Sequence, residues 1–135
     1  VTGRFIGAGD VAHESVDWGE LTWIVRPSIS GSGSLALVEV TVHAGRGHAF
    51  HVHPEQSEVI WVREGRIEQW IGQERRELGP GEAAFVPPGT VHASFALDDA
   101  PARFSVVLAP AVGEDGYITL DVSDSEPWAS LRSRP

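Results

Sequence analysis

The stretch Leu35-Ala-Leu-Val-Glu-Val-Thr-Val42 holds the clearest periodicity in the chain. Val38, Val40 and Val42 share one face, and Glu39, Thr41 and His43 share the other. Successive side chains leave a strand on opposite sides, so this two-residue repeat predicts a half-buried β-strand. Downstream, Ser57-Glu-Val-Ile-Trp-Val62 is a second β-rich run. Arg63-Glu-Gly65 reads as a tight turn with glycine at the positive-φ position, which makes Arg66 to Ile71 the return strand of a hairpin. A Gly72-Gln73 turn leads into Glu74 to Leu78. Ala83 to Val86 must stop at Pro87-Pro88-Gly89, because two prolines remove two ladder donors. His92 to Leu97, Arg103 to Leu108 and Tyr117 to Val122 continue the series. Upstream, Leu21 to Val25 is a strand closed by Pro27, followed by an exposed loop, Ser30 to Ser34. No stretch keeps a 3.6-residue period beyond one or two turns, and the tail from Ser125 to Pro135 reads as a helical turn or a surface segment. Short strands at close spacing with Gly/Pro turns predict one all-β sandwich or barrel.

Composition narrows the function. The chain has 135 residues and a formal net charge of −9, which argues against nucleic acid or an anionic membrane face as its main partner. It has no cysteine, so thiolate metal sites and thiol nucleophiles are excluded. Fifteen glycines and nine prolines in a chain with aromatic and β-branched residues throughout point to many turns. No apolar run is long enough for a membrane helix. Val1 to Asp10 shows no basic-then-apolar signal pattern, and the chain is expected to be cytoplasmic. A start at Val1 with no Met anywhere suggests that the initiator was removed or left out. There is no phosphate-cradling glycine loop before a helix and no Gly-x-Ser-x-Gly elbow.

Three imidazoles and one carboxylate stand out. His51 and His53 lie two apart on an expected strand, so both rings leave one face. Pro54 ends that strand, and Glu58 opens the next one; if the two strands pair, Glu58 projects into the same space. His92 follows the Pro-Pro-Gly turn. Neutral imidazole nitrogen and carboxylate oxygen suit a divalent transition metal with a position left open for a small ligand. Strand alternation would place Ala49, Ile60, Val62, Ser94 and Ala96 on the metal-facing side. Gln56, Ser94 and Thr90 are candidates for groups supporting the site.

The surrounding framework resembles the cupin superfamily. Its first motif, G-x5-H-x-H-x(3,4)-E-x6-G, is matched by Gly45, His51, His53, Glu58 and Gly65. Its second, G-x5-P-x-G-x2-H-x3-N, is matched by Gly81, Pro87, Gly89 and His92, with Ala96 where the Asn is expected. The short spacer from Arg66 to Pro80 looks like that of small bacterial single-domain members. The resemblance implies an all-β, single-domain cupin (jelly-roll barrel, or double-stranded β-helix) over residues 1–135. Its conserved barrel would span about residues 35–110, with the terminal segments packed outside. It also implies one divalent ion (Fe, Mn, Ni or Zn) held by His51, His53, Glu58 and His92, with Glu58 able to dissociate and serve as a catalytic base. The activity it implies is a metal-dependent dioxygenase acting on a small bidentate phenolic or enediol substrate. The alternatives are a non-redox isomerase, cyclase or lyase, and a small-molecule-binding cupin without turnover. The Asn-to-Ala departure removes no ligand.

The remaining residues carry less. His48 has the opposite strand parity to His51 and is expected to face away from the site. His43 and His13 read as solvated. Tyr117 reads as core. Trp61 has the opposite parity to Glu58 and should lie on the barrel exterior; with the excess of tryptophan, this suggests a homodimer.

Overall fold

The alternation in Leu35–Val42 becomes a strand in which Ala36, Val38, Val40 and Val42 are all buried. It is the third of eleven strands among residues 2–132, which the computed structural model describes. Val1 and the end of the tail, Ser133 to Pro135, lie outside the described residues. In chain order the elements are β1 (Ala12–Val16), β2 (Gly19–Val25), α1 (Pro27–Ser30), β3 (Ala36–Val42), β4 (Gly47–Val52), β5 (Ser57–Glu64) and β6 (Ile67–Ile71). They continue with β7 (Glu74–Leu78), β8 (Ala83–Val86), β9 (His92–Ala96), β10 (Ala102–Ala109), β11 (Leu120–Asp121) and α2 (Trp128–Leu131). Two antiparallel sheets result, ordered β1-β2-β3-β10-β5-β8 and β11-β4-β9-β6-β7. The fold is the all-β barrel expected from the sequence.

Two sequence expectations are corrected by this topology. β5 and β6 do not form a hairpin: β5 pairs with β10 and β8, whereas β6 pairs with β7 and β9. The Gly65 turn is therefore a corner at which the chain changes sheets. Gly65 has φ 71°, and a Cβ there would come within 2.6 Å of the Pro101 carbonyl oxygen, so the corner needs glycine twice over. The strand expected over Tyr117 to Val122 is reduced to Leu120–Asp121, which pairs with the end of β4.

The main core lies between the sheets. The inward residues of β3 meet Ile60 and Val62 of β5 and Phe104, Val106 and Leu108 of β10. Full burial of each such side chain stabilises the fold by roughly 1.5–3 kcal/mol. A second cluster covers the outer face of the smaller sheet, where Phe50, Trp70 and Ala93 receive Leu131 and the half-buried Trp128 from α2. The tail thus holds the helical turn read from the sequence, and it packs on the sheet. Most of the tryptophan is explained by packing of this kind. Trp23 and Trp70 are buried, while Trp61 is 45% exposed on the exterior, where its parity placed it.

Candidate metal centre

β4 and β9 run side by side in the smaller sheet, and their pairing carries the site. Gly47 faces Phe95 and His48 faces Ser94, but the next recorded pair is His51 with His92. Three steps along β4 therefore match two along β9. This is a β-bulge that leaves one extra residue on β4 and reverses the side-chain parity across it. His92 and Ser94 share the inner face by ordinary alternation, and the bulge brings His51 and His48 to that same face. His53 follows β4 directly. Glu58 arrives from β5 in the opposite sheet, so it meets the imidazoles across the barrel and not from a paired neighbouring strand. The pairing on which the sequence reading made its inward direction conditional is therefore absent, and Glu58 converges on the imidazoles without it.

His51, His53, Glu58 and His92 are all buried, and each offers one ligand atom within 4.8 Å of the others. The three rings are anchored in the same way. Nδ1 of His51 donates to the Ala49 carbonyl at 2.6 Å, Nδ1 of His53 to the Ile118 carbonyl at 2.8 Å, and Nδ1 of His92 to the Thr90 carbonyl at 3.0 Å. A backbone carbonyl can only accept, so each neutral ring carries its proton on Nδ1 and leaves the Nε2 lone pair free. Glu58 Oε2 lies 3.2 Å from His53 Nε2 and 2.5 Å from His92 Nε2. Despite that separation, Glu58 Oε2 and His92 Nε2 have no hydrogen-bond partner of acceptable geometry.

The electrostatics follow from burial and proximity. Burial alone would raise the Glu58 carboxyl, but the His53 and His92 rings beside it override this and hold it well below the usual carboxylate range. Burial alone would lower His92, but the Glu58 carboxylate outweighs it and keeps the ring above its ordinary value. His51 is pushed well down by burial and by the neighbouring imidazoles. Burial also pushes His48 down to about 4 and the Tyr117 hydroxyl up to about 12.

A cavity of about 40 Å³ opens beside the cluster. Its wall is apolar: Leu21, Trp23, Val38, Val40, Phe104, Val106 and Leu108. Ser94 lines it as expected, whereas Ile60 and Val62 belong to the adjoining core, and Ala49 and Ala96 do not line it. Among the lining residues, solvent reaches only Trp18, His48 and Tyr117 to an intermediate degree, so these three form the mouth.

The sequence model of the cupin domain matches residues 38–108, more than half of the chain. The chain belongs to the cupin family. This cupin is 33% identical over 101 residues to quercetin 2,3-dioxygenase of Bacillus subtilis, a match covering 75% of this chain and 30% of that protein. It is 38% identical over 68 residues to dimethylsulfoniopropionate lyase DddQ of Ruegeria pomeroyi, covering 50% of this chain and 33% of that one. The chain thus spans about a third of the length of these curated relatives. Among solved structures, KdgF from Halomonas sp. matches with a TM-score of 0.68 at 21% identity, covering 79% of this chain and 94% of that one. At that identity the match shows a shared fold.

Cupins of this motif type imply a divalent metal, and the donor set here fits one. Three Nε2 lone pairs and a carboxylate converge in a buried space where two of the atoms have no protein partner. Removing buried polar atoms from water without compensation is costly, and a cation would supply what they lack.

The supporting residues proposed from sequence are placed as follows. Gln56 is 1% exposed; its Nε2 donates to the Pro110 and Gly116 carbonyls, and its Oε1 accepts from the Ile118 amide. It thereby fixes the loop whose Ile118 carbonyl orients His53. Thr90 acts through its carbonyl. Ser94 donates to Gln69 Oε1 at 2.6 Å. Ala96, at the motif Asn position, donates its amide to the Arg46 carbonyl. His13 and His43 are exposed. His48 is the residue that strand parity misplaced: it faces the cavity mouth because of the bulge, which no local sequence signal announces.

Proposed function

We propose that this cupin holds one divalent transition metal through His51, His53, His92 and Glu58, and uses it to transform a small organic molecule carrying two adjacent oxygen donors. The observation that carries this reading is the convergence of three carbonyl-anchored imidazoles and an unpartnered carboxylate oxygen in a buried pocket. When bound, the metal would supply a Lewis-acid centre for a chelating ligand and, as Fe, Mn or Ni, support for reaction with oxygen. The protein's residues do the rest. The carbonyl-bound Nδ1 atoms keep the rings in one tautomer and plane. The apolar part of the wall offers water no hydrogen-bond partner beside the chelating face. Glu58, held ionised at neutral pH, can accept a proton from a substrate hydroxyl. A cavity of about 40 Å³ has room for a few waters, so it admits the chelating end of a ligand and leaves the body of a larger phenolic at the Trp18–Tyr117 mouth.

The dioxygenase reading draws support from the quercetin dioxygenase relative and the dry wall. A non-redox lyase or isomerase draws equal support from the lyase relative and from Glu58 as base. Metal analysis of protein purified without added metal comes first. Anaerobic loading with Fe(II), Mn(II), Ni(II) or Zn(II) then precedes an oxygen-electrode screen over phenolics and enediols. Oxygen uptake with a redox metal selects the dioxygenase; turnover without oxygen and with Zn(II) selects the lyase or isomerase. Ligand binding without turnover selects a binding cupin. Replacing all four residues with alanine must abolish metal content, or the reading fails.

A further inference from the structure

We propose that His48 is a ligand-contacting residue of this pocket, hydrogen-bonding an oxygen of the bound molecule beside the metal cluster. This rests on the metal-centre reading above and adds to it a residue outside the ligand set. The His48 ring lies between two others: His51 stacks on one side with centroids 3.5 Å apart and planes 12° apart, and Trp18 on the other at 4.7 Å and 15°. With both faces covered, only the ring edge is open, and the edge carries the two nitrogens. Neither nitrogen bonds to a protein group among the described residues. Of the other polar groups on the cavity wall, Ser94 is committed to Gln69 and the Trp23 indole to Glu14. The three deeper imidazoles spend Nδ1 on carbonyls. His48 is therefore a wall residue with hydrogen-bonding capacity to give, and it belongs to the partly exposed part of the wall. Its stacked, in-plane geometry favours a hydroxyl or carbonyl oxygen of a planar chelating molecule, approached edge-on. A β-bulge that turns the residue inward, when simple alternation would turn it out, is a device often found next to active sites.

The test uses the Co(II)-loaded protein and two bidentate oxygen chelators, tropolone and acetohydroxamate, titrated by visible absorption. His48→Phe keeps an aromatic plane between Trp18 and His51 but removes the hydrogen bond; His48→Gln restores hydrogen-bonding capacity. The proposal expects one Co(II) per chain in the wild type and both variants. Chelator affinity should fall about tenfold in His48→Phe, the size of one lost hydrogen bond, with partial recovery in His48→Gln. Wild-type chelator affinity no greater than that of His48→Phe overturns it. So does loss of cobalt in His48→Phe, which would make the ring a packing support for His51. A wild-type protein that takes up no cobalt overturns the metal-centre reading itself, and His48's role with it.

Discussion

Glu58 Oε2 lies 2.5 Å from His92 Nε2, while the other nitrogen of that ring already donates to the Thr90 carbonyl. A neutral ring in that tautomer turns a lone pair toward a carboxylate oxygen, and two lone pairs so close repel. The pair therefore calls for positive charge at that point, which either a proton or a metal ion can provide. The two compete for one location, so metal occupancy and His92 protonation are linked.

The first prediction follows from the signs of the shifts. His92 is held above its ordinary value of 6.5, so its contribution to stability is complete below that pH and is lost as pH rises through the folded-state pKa. Glu58 is held below its ordinary 4.5, so its contribution is complete above that pH and is lost as pH falls through its own folded-state value. In metal-stripped protein the Glu58–His92 contribution should thus be greatest between their ordinary values of 4.5 and 6.5 and be lost as pH rises through the folded-state pKa of His92. His51 and His48, held below 6.5, cost stability as pH falls beneath that value. Zn(II) binding needs the ring deprotonated, so the gap in Tm between loaded and stripped protein should widen with pH. Thermal melts with EDTA or with excess Zn(II) measure this. A gap that narrows as pH rises would contradict the linkage.

The second prediction concerns Gln56, whose three bonds fix the Pro110–Ile118 loop and, through the Ile118 carbonyl, the tautomer of His53. Gln56→Leu leaves two carbonyls and an amide without their partner and should cost about 2–4 kcal/mol in urea unfolding. Metal affinity should fall about 10–100-fold, as for other groups that orient a ligand from behind. Gln56→Glu tests the assignment more sharply. It keeps the acceptor for the Ile118 amide but turns a carboxylate toward two carbonyl oxygens, so it should be no milder. Wild-type metal affinity in both variants would remove Gln56 from the site's support.

The motif residues were legible in the sequence because their chemistry is local: imidazoles at a two-residue spacing, and prolines and glycines that end strands. Val38, Val40 and Val42 likewise declare their face by alternation. What a strand's own sequence does not hold is its partner. Gly65 permits a hairpin turn and a corner between sheets equally well, and only the pairing of β5 with β10 and β8 decides between them. The same applies to Glu58, which reaches the imidazoles from the opposite sheet, and to His48, whose inward direction is a property of the β4–β9 register. In each case the missing information was which strand lies alongside, and that is set by long-range packing.

The two glycines that bound the first motif should respond differently to substitution. Gly45 has φ 73° with open space around its absent side chain, so Gly45→Ala meets only the left-handed backbone penalty, about 1–2 kcal/mol. Gly65 has a similar φ, but a Cβ there would meet the Pro101 carbonyl oxygen at 2.6 Å and the Ala102 Cα at 3.1 Å. Gly65→Ala must also displace the chain leading into β10, which should add a further 1–3 kcal/mol of overpacking strain. Equal destabilisation of the two variants in denaturant titrations would show that the corner does not depend on this close approach.

The last prediction concerns the clasp that holds the C-terminal segment on the smaller sheet. Glu68 accepts from Trp70 Nε1 at 2.6 Å and from Arg132 Nε at 2.9 Å, and the Arg132 guanidinium lies 3.6 Å from the Phe95 ring centroid. Burial would raise the Glu68 carboxyl, but the Arg132 and Trp70 contacts outweigh it and hold it below its ordinary value. Glu68→Gln should therefore cost stability at neutral pH. The wild-type advantage should shrink on acidification as pH falls through the folded-state pKa of Glu68. Arg132→Ala should cost about 1 kcal/mol, since its end of the pair is partly exposed, and should loosen α2 over Trp70. Increased acrylamide quenching of tryptophan fluorescence would report that loosening. Metal content should be unaffected, because Trp70 belongs to the outer cluster and neither it nor Glu68 lines the cavity. Unchanged quenching in Arg132→Ala would mean that Trp128 and Leu131 hold the segment without the clasp.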